Sequence, residues 1–211
     1  MSLQLTRVCV TAAQAPAPLF APLTLTVEAG EIATVMGPSG IGKSTLLDAV
    51  GGHLAHGFVA SGQITLNGRD MLRLPAEARR IGILFQDALM FPHLSVGDNL
   101  AFGLAQRLRG RAVRQAAVAE ALAQAGLAGF ADRDPATLSG GQRARAALMR
   151  ALLAEPLALL LDEPFSKLDT SLRAEIRRFV FDHVRARAIP VLMVTHDAGD
   201  AEAAAGPVVG L

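Results

Sequence analysis

The chain has 211 residues, 51% of them hydrophobic, which excludes a disordered tail and sets the scale at one well-buried domain with room for a small subdomain. Its 20 Lys and Arg against 19 Asp and Glu leave a formal charge of +1, too balanced for the electrostatic footprint of a nucleic-acid-binding surface. A single cysteine, Cys9, excludes an internal disulfide, and the opening "MSLQLTRVCV" lacks the charged head and long apolar run of a secretory signal.

In chain order, Leu23, Leu25 and Val27 alternate with Thr24, Thr26 and Glu28, and "GQITLNGRD" (residues 62–70) repeats that period of two with glycine punctuation. Both stretches predict strands and hairpins. Four later runs are nearly all apolar: residues 32–36, 81–85, 157–161 and 190–194. Runs apolar on both faces fit the buried strands of a parallel sheet. Between the second and third runs, residues 96–153 are rich in Ala, Arg and Leu, with helix-period pairs such as Leu148 with Leu152 and Met149 with Leu153. That stretch predicts a helical subdomain inserted into the sheet domain. The basic cluster "LRGRAVR" (residues 108–114) reads as a solvated helix face. Residues 146–161 come nearest to the roughly 18 apolar residues of a membrane span, but Arg150, Glu155 and Pro156 interrupt them. The expectation is a soluble, cytoplasmic chain that meets a membrane only through a partner.

Each apolar run ends at polar residues: a glycine loop with Lys43, then Gln86, then Asp162 and Glu163, then His196. In open α/β sheets ligands bind outside the carboxyl ends of the strands, so the four segments point to one site. "GPSGIGKST" (residues 37–45) matches G-x-x-x-x-G-K-[ST] through Gly37, Gly42, Lys43 and Ser44. Glycines let successive backbone N–H groups converge on a phosphate, and the helix that follows adds the positive end of its dipole. Lys43 would then reach the β- and γ-phosphates, and the Ser44 hydroxyl would bind Mg²⁺. Asp162 would hold the same Mg²⁺, and Glu163 would stand beside the γ-phosphate to polarise the attacking water, although Asp-Glu-Pro is also a plausible strand-ending turn. Ser139 is a good N-cap for the helical run that follows. With Gly140, Gly141 and Gln142 it forms either an ordinary capped helix or a second anion site.

"LSGGQ" (residues 138–142), placed after a phosphate loop and before "LLLDEPFSKLD", resembles the signature of ATP-binding cassette (ABC) ATPases. "ILFQD" is similar to the Q-loop, "LLLDEP" to Walker B, "SKLD" to the D-loop and "VTHD" to the switch histidine, so five motifs stand in family order. Within the family, residues 85–104 and 162–169 resemble the ATPase subunits of bacterial importers of thiamine, ferric iron, sulfate and polyamines. The resemblance implies an α/β P-loop NTPase fold with a mainly parallel central sheet, an N-terminal antiparallel β subdomain and an inserted α-helical subdomain. Residues 1–86 and 154–211 would form the sheet core with its β subdomain, and 87–153 the helical part.

The resemblance further implies a head-to-tail homodimer. Gly37, Pro38, Ser39, Gly40, Gly42, Lys43, Ser44 and Thr45 of one copy would face Ser139, Gly140, Gly141 and Gln142 of the other across one ATP. Glu163 would be the general base, His196 the γ-phosphate contact, and Gln86 a metal and water contact that senses the transmembrane partner. Asp169 would link the two copies. Implied partners are integral membrane permease subunits and, indirectly, a periplasmic solute-binding protein, with no nucleic acid. The chain would sit on the cytoplasmic face of the cell membrane. The permease would dock near Gln86 and residues 88–93, although the apolar "ALMF" there could equally be subdomain core.

Some features depart from the family pattern. The family stacks adenine on an upstream aromatic residue, yet the chain has no Trp or Tyr, and Phe20 is the nearest candidate. Lys167 stands in the D-loop where a small residue is common. No regulatory module is expected after "THDAGDAEAAAGPVVGL". Other functions fit less well: a soluble ABC-type ATPase acting on DNA or ribosomes would carry a long coiled coil or tandem cassettes, and a small-molecule kinase would give no role to residues 139–142.

Overall fold

The computed structural model describes residues 1–211, the side chain of Ser171 excepted. The chain divides into two compact units: Met1–Ile83 with Leu157–Pro164 and Phe181–Leu211, and Leu84–Pro156 with Phe165–Val180.

In the first unit, β1 (Ser2–Ala12), β2 (Leu23–Glu28), β4 (Phe58–Leu66) and β5 (Arg69–Asp70) form an antiparallel sheet in the order β2-β1-β4-β5. In β2 the alternation read from sequence is realised: Leu23, Leu25 and Val27 are buried while Thr24, Thr26 and Glu28 are exposed. A second sheet runs β6-β7-β8-β3-β9, built from β6 (Ile81–Leu84), β7 (Ala158–Asp162), β8 (Val191–Thr195), β3 (Ile32–Met36) and β9 (Val208–Gly210). β3 is parallel to both β8 and β9, and β7 is parallel to β8. Strands β7 and β8 are buried nearly throughout, as double-faced parallel strands must be.

Helix α1 (Lys43–Gly51) follows β3, and its Leu46, Leu47, Ala49 and Val50 are buried in a core that also holds Val35, Leu160, Leu192 and Val194. Burying a side chain such as Leu46 is worth about 1.5–3 kcal/mol, so most of the hold on this helix comes from packing. α2 (Ala76–Arg79) leads into β6, and α7 (Ala198–Ala204), N-capped by Asp197, follows β8. The last strand, β9, pairs with β3 through Thr34 to Met36.

The second unit is helical: α3 (Val96–Phe102), α4 (Arg111–Gln124), a 3₁₀ turn at Pro135–Thr137, α5 (Gly140–Leu153) and the first part of α6 (Thr170–Ala186). Its boundaries differ from the sequence expectation of 87–153 by taking in residues 165–180. The reason is packing: Leu172 of α6 lies against Gly141 so closely that a Cβ there would come within 2.7 Å of it, and Arg145 of α5 pairs with Glu175 of α6. In the basic cluster before and within α4, Arg109 and Arg111 are exposed as expected, while Arg114 is half-buried and donates to the carbonyls of Leu108 and Ala101. Among the described residues no helix is long and apolar enough to cross a membrane.

Candidate active site

The buried strand β3 releases the chain at residue 37 into a turn that ends at α1. Gly40 and Gly42 have φ of 83° and 107°, a region that side-chain-bearing residues rarely enter, and a Cβ on Gly42 would lie 3.1 Å from the Phe20 ring. Gly42 caps α1 without a side chain, so nothing from the cap competes for the amides of the first turn. Those amides and the positive end of the helix dipole suit an anion. Lys43 is only 5% exposed, and its Nζ donates to the carbonyls of Gly37 (2.9 Å) and Pro38 (3.0 Å). Pro38, Ser39 and Gly40 are exposed and Thr45 is half-buried.

The parallel register carries the other groups to the same edge. Met36 pairs with Thr195, and Asp162 with Val194, so Gly37 and His196 leave the sheet at one level and Glu163 one residue short of it. Ser44 Oγ donates to Asp162 Oδ1 at 3.0 Å. Burial is the main cause that pushes the Asp162 carboxyl above its ordinary range; the Ser44 hydrogen bond opposes this, the negative charges of Glu163 and Asp48 add to it, and Lys43 counters it. A desolvated carboxylate with a hydroxyl beside it is a set of hard oxygen donors. It fits a small divalent cation such as Mg²⁺, whose charge would relieve the same repulsion.

Glu163 lies between two cationic or ionisable groups: Lys43 Nζ is 3.8 Å from Oε1 and His196 Nδ1 is 3.1 Å from Oε2. Its φ of 43° is a strained value for a side-chain-bearing residue, held in place because its N–H donates to Val194 O at 3.0 Å. Strain of this kind persists where surrounding structure over-determines it, which points from the geometry towards function. The turn carrying His196 is itself braced: the Asp197 N–H donates to Thr195 Oγ1, which lies 3.4 Å from the buried Asp200 carboxylate, and the Asp200 N–H donates to Asp197.

The remaining sequence-predicted residues belong to the second unit. Gln86 Nε2 donates to Ser166 Oγ at 3.1 Å. Ser139 caps α5 in a reciprocal box, its hydroxyl accepting from the Gln142 N–H while the Gln142 side chain accepts from the Ser139 N–H. Ser139 and Gly140 are exposed and Gly141 is buried against Leu172. Asp169 caps α6, accepting from the Leu172 N–H at 3.1 Å. Thus Lys43, Ser44, Asp162, Glu163 and His196 are brought together in the first unit, and Gln86, Asp169 and residues 139–142 lie in the second.

Phe20, the aromatic candidate nearest the loop, faces inward. It is 6% exposed and belongs to the core with its ring under Gly42, so it supports the loop from inside and has no open face for a base. Sequence reasoning missed Arg79 altogether. It is buried, and its guanidinium donates to the carbonyls of Ala49 (2.7 Å) and Val50 (2.8 Å) at the end of α1 and of Leu74 (2.9 Å). The only signal available was negative: α1 has no basic residue in its own last turn. Asn99 was also missed. Fully buried, it bonds the backbone of Phe91, Leu94 and Ser95 and so shapes the segment after Gln86, which Arg150 also holds through Leu89 O.

A phosphate-type loop after β3, a histidine after the adjacent β8 and a carboxylate pair after β7 define a P-loop NTPase site. The ABC transporter family profile matches residues 20–166, and the chain belongs to that family as an ATP-binding subunit with ATPase activity. It is 55% identical over 185 residues to the uncharacterized ABC transporter ATP-binding protein YnjD of Escherichia coli, covering 88% of this chain and 85% of the relative. Thiamine import ATP-binding protein ThiQ of Cereibacter sphaeroides is 49% identical over 173 residues, 82% of this chain and 74% of the relative. Fe(3+) ions import ATP-binding protein FbpC of Streptomyces coelicolor is 46% identical across 85% of this chain, which spans about half (51%) of that relative. Among solved structures, the dimeric post-hydrolysis state of the ATP-binding cassette MJ0796 bound to ADP and Pi superimposes with a TM-score of 0.80 at 29% identity, covering 99% of this chain and 94% of the other.

Proposed function

We propose that the chain is the energy-coupling subunit of an importer, working with Mg²⁺ as a head-to-tail homodimer that drives a separate membrane permease to move a small solute. The observation that carries the catalytic part is the Lys43–Glu163–His196 cluster beside the Ser44–Asp162 bond. The import reading is supported by the names of relatives that import thiamine and ferric ions.

In this mechanism the backbone N–H groups of Ser39 to Thr45 and the Lys43 ammonium hold the β- and γ-phosphates. Ser44 and Asp162, with Gln86, hold Mg²⁺, which when bound neutralises charge on the phosphate oxygens. Glu163 accepts a proton from the water that attacks the γ-phosphorus as the bond to ADP breaks. Its strained backbone and its contact with His196 Nδ1 fix the direction of that carboxylate. His196 and Lys43 offset the charge on the transferring group. Ser139 to Gln142 of the second copy close on the same nucleotide, and Asp169 links the copies across the dimer. ATP binding closes the pair and hydrolysis reopens it, so the work comes from the differing nucleotide affinity of the two states.

The docking surface for the permease lies near Gln86 and residues 88–93, where the apolar Phe85 and Leu89 are 45% and 59% exposed. The chain would then work at the cytoplasmic face of the membrane, with a periplasmic solute-binding protein on the far side.

Capture of the tagged protein from mildly solubilised native membranes tests the reading. Co-purification of an integral membrane subunit with a periplasmic binding protein is expected. Recovery of ribosomal or other soluble partners alone would instead make it a soluble ABC-type ATPase not coupled to transport. Glu163→Gln tests the chemistry: it should bind ATP, lose nearly all turnover and accumulate as an ATP-bound dimer. Full turnover in that variant would remove Glu163 as the base.

A further inference from the structure

Lys167 has no part in the mechanism above, yet the structure gives it a specific partner. Its Nζ donates to Asp87 Oδ1 at 2.5 Å. One residue back on each strand of chain, Gln86 Nε2 donates to Ser166 Oγ at 3.1 Å. Two consecutive residues of the segment after β6 are therefore joined to two consecutive residues of the segment before α6, all within the second unit. Each segment is also shaped by a turn of its own, Leu89 N–H to Asp87 O and Leu168 N–H to Phe165 O, and the fully buried Phe165 anchors the second.

The ion pair is a poor candidate for a stabilising contact. Its side chains are 55% and 59% exposed, and a pair in that setting contributes little to folding. Its geometric consequence is larger. A lone amide–hydroxyl bond is too weak to keep an exposed glutamine in one orientation. A second, charge-assisted rung on the neighbouring residues closes a ring of four residues and restricts the hinge between the segments. Two residues beyond Lys167, Asp169 fixes the start of α6 through the Leu172 N–H.

We propose that Lys167 is a positioning residue for ATP hydrolysis: by pairing with Asp87 it locks the segment carrying Gln86 to the segment leading to Asp169, so that the two move together. The inference rests on the reading of Gln86 as a contact to the metal and water. Lys167 never touches the nucleotide; it acts through the orientation of Gln86.

The test compares ATP turnover of the purified chain with that of Lys167→Ala, Asp87→Ala, Gln86→Ala, the Gln86→Ala/Lys167→Ala double variant and the charge swap Asp87→Lys/Lys167→Asp. Lys167→Ala and Asp87→Ala should each lower kcat on the order of tenfold with KM for ATP changed less than about twofold, since misplacing a contact by an ångström can cost more than that. The thermal midpoint should stay with that of the parent. Adding Lys167→Ala to Gln86→Ala should cause no further loss, and the charge swap should recover most of the lost turnover, neither of which a merely structural role would produce. If Gln86→Ala lowers turnover but Lys167→Ala and Asp87→Ala do not, the lock is wrong and the role of Gln86 stands. If Gln86→Ala leaves turnover unchanged, the role of Gln86 fails and the lock with it. Additive losses, or no recovery in the charge swap, also overturn the proposal.

Discussion

Replacing Arg79 with methionine should destabilise the protein through the far end of the phosphate-loop helix. The parent guanidinium meets the carbonyls of Ala49 and Val50, both near the end of α1, while the Asp48 carbonyl is met by the N–H groups of Gly52 and His53. Methionine keeps most of the volume and supplies no donor. Each buried acceptor left unpaired costs about 1–3 kcal/mol; the buried Ala49 and Val50 carbonyls, with a smaller share from the part-buried Leu74 carbonyl and less what is recovered by no longer burying a charge, give a net loss of about 2–4 kcal/mol. For a chain of this length that corresponds to a fall of about 5–15 °C in the unfolding midpoint. Thermal unfolding followed by circular dichroism, with and without ATP, measures both this loss and the added stabilisation by nucleotide. The second quantity should fall too, because Lys43 and Ser44 begin the same helix. Arg79→Lys should lie between parent and Arg79→Met, since an ammonium can serve one carbonyl but lacks the guanidinium fork. A methionine variant that unfolds within about 1 kcal/mol of the parent would show that α1 does not depend on this cap.

Gly42→Ala forces an unfavourable φ and places a methyl group 3.1 Å from the buried Phe20 ring. A loss of about 2–4 kcal/mol in stability is expected, with weaker ATP binding, measurable by denaturant titration and by nucleotide titration. Asp162→Asn should raise stability in the absence of nucleotide while abolishing the Mg²⁺ dependence of ATP binding. The folded protein holds the Asp162 proton more tightly than the unfolded chain, so the penalty of its charge is absent well below the ordinary value of 3.8 and grows as pH rises through the raised titration. The stability gain of the asparagine variant should therefore be largest above that window and vanish in strong acid, which unfolding curves across pH would check.

How much of the site was legible depended on how local its chemistry is. The phosphate loop is one continuous stretch whose glycines, lysine and serine all serve backbone geometry within a few residues, so Gly42, Lys43 and Ser44 stood out at once. The capping box of Ser139 and Gln142 is equally local. The role of Phe20 was not legible because an aromatic residue looks the same in a sequence whether its ring faces a ligand or the core. Arg79 was passed over because its partners lie 5, 29 and 30 residues away, and no nearby pattern distinguishes it from the exposed Arg80.

By itself the sequence determined the kinds of element, from the period of two in β2 and the nearly unbroken apolar runs of β3, β7 and β8, and the polar residues with which those runs end. Hydrophobic periodicity is a local property, so it survives in one dimension. Only the tertiary structure decided which of those polar residues meet. The parallel register of β3, β7 and β8 sets Glu163 between Lys43 and His196 and sets Ser44 against Asp162. Packing likewise turned Phe20 inward, brought Arg79 to the end of α1 and paired Lys167 with Asp87. These contacts join residues far apart in the chain, and which side chains share them is settled by strand order and burial, for which a linear sequence carries no local signal.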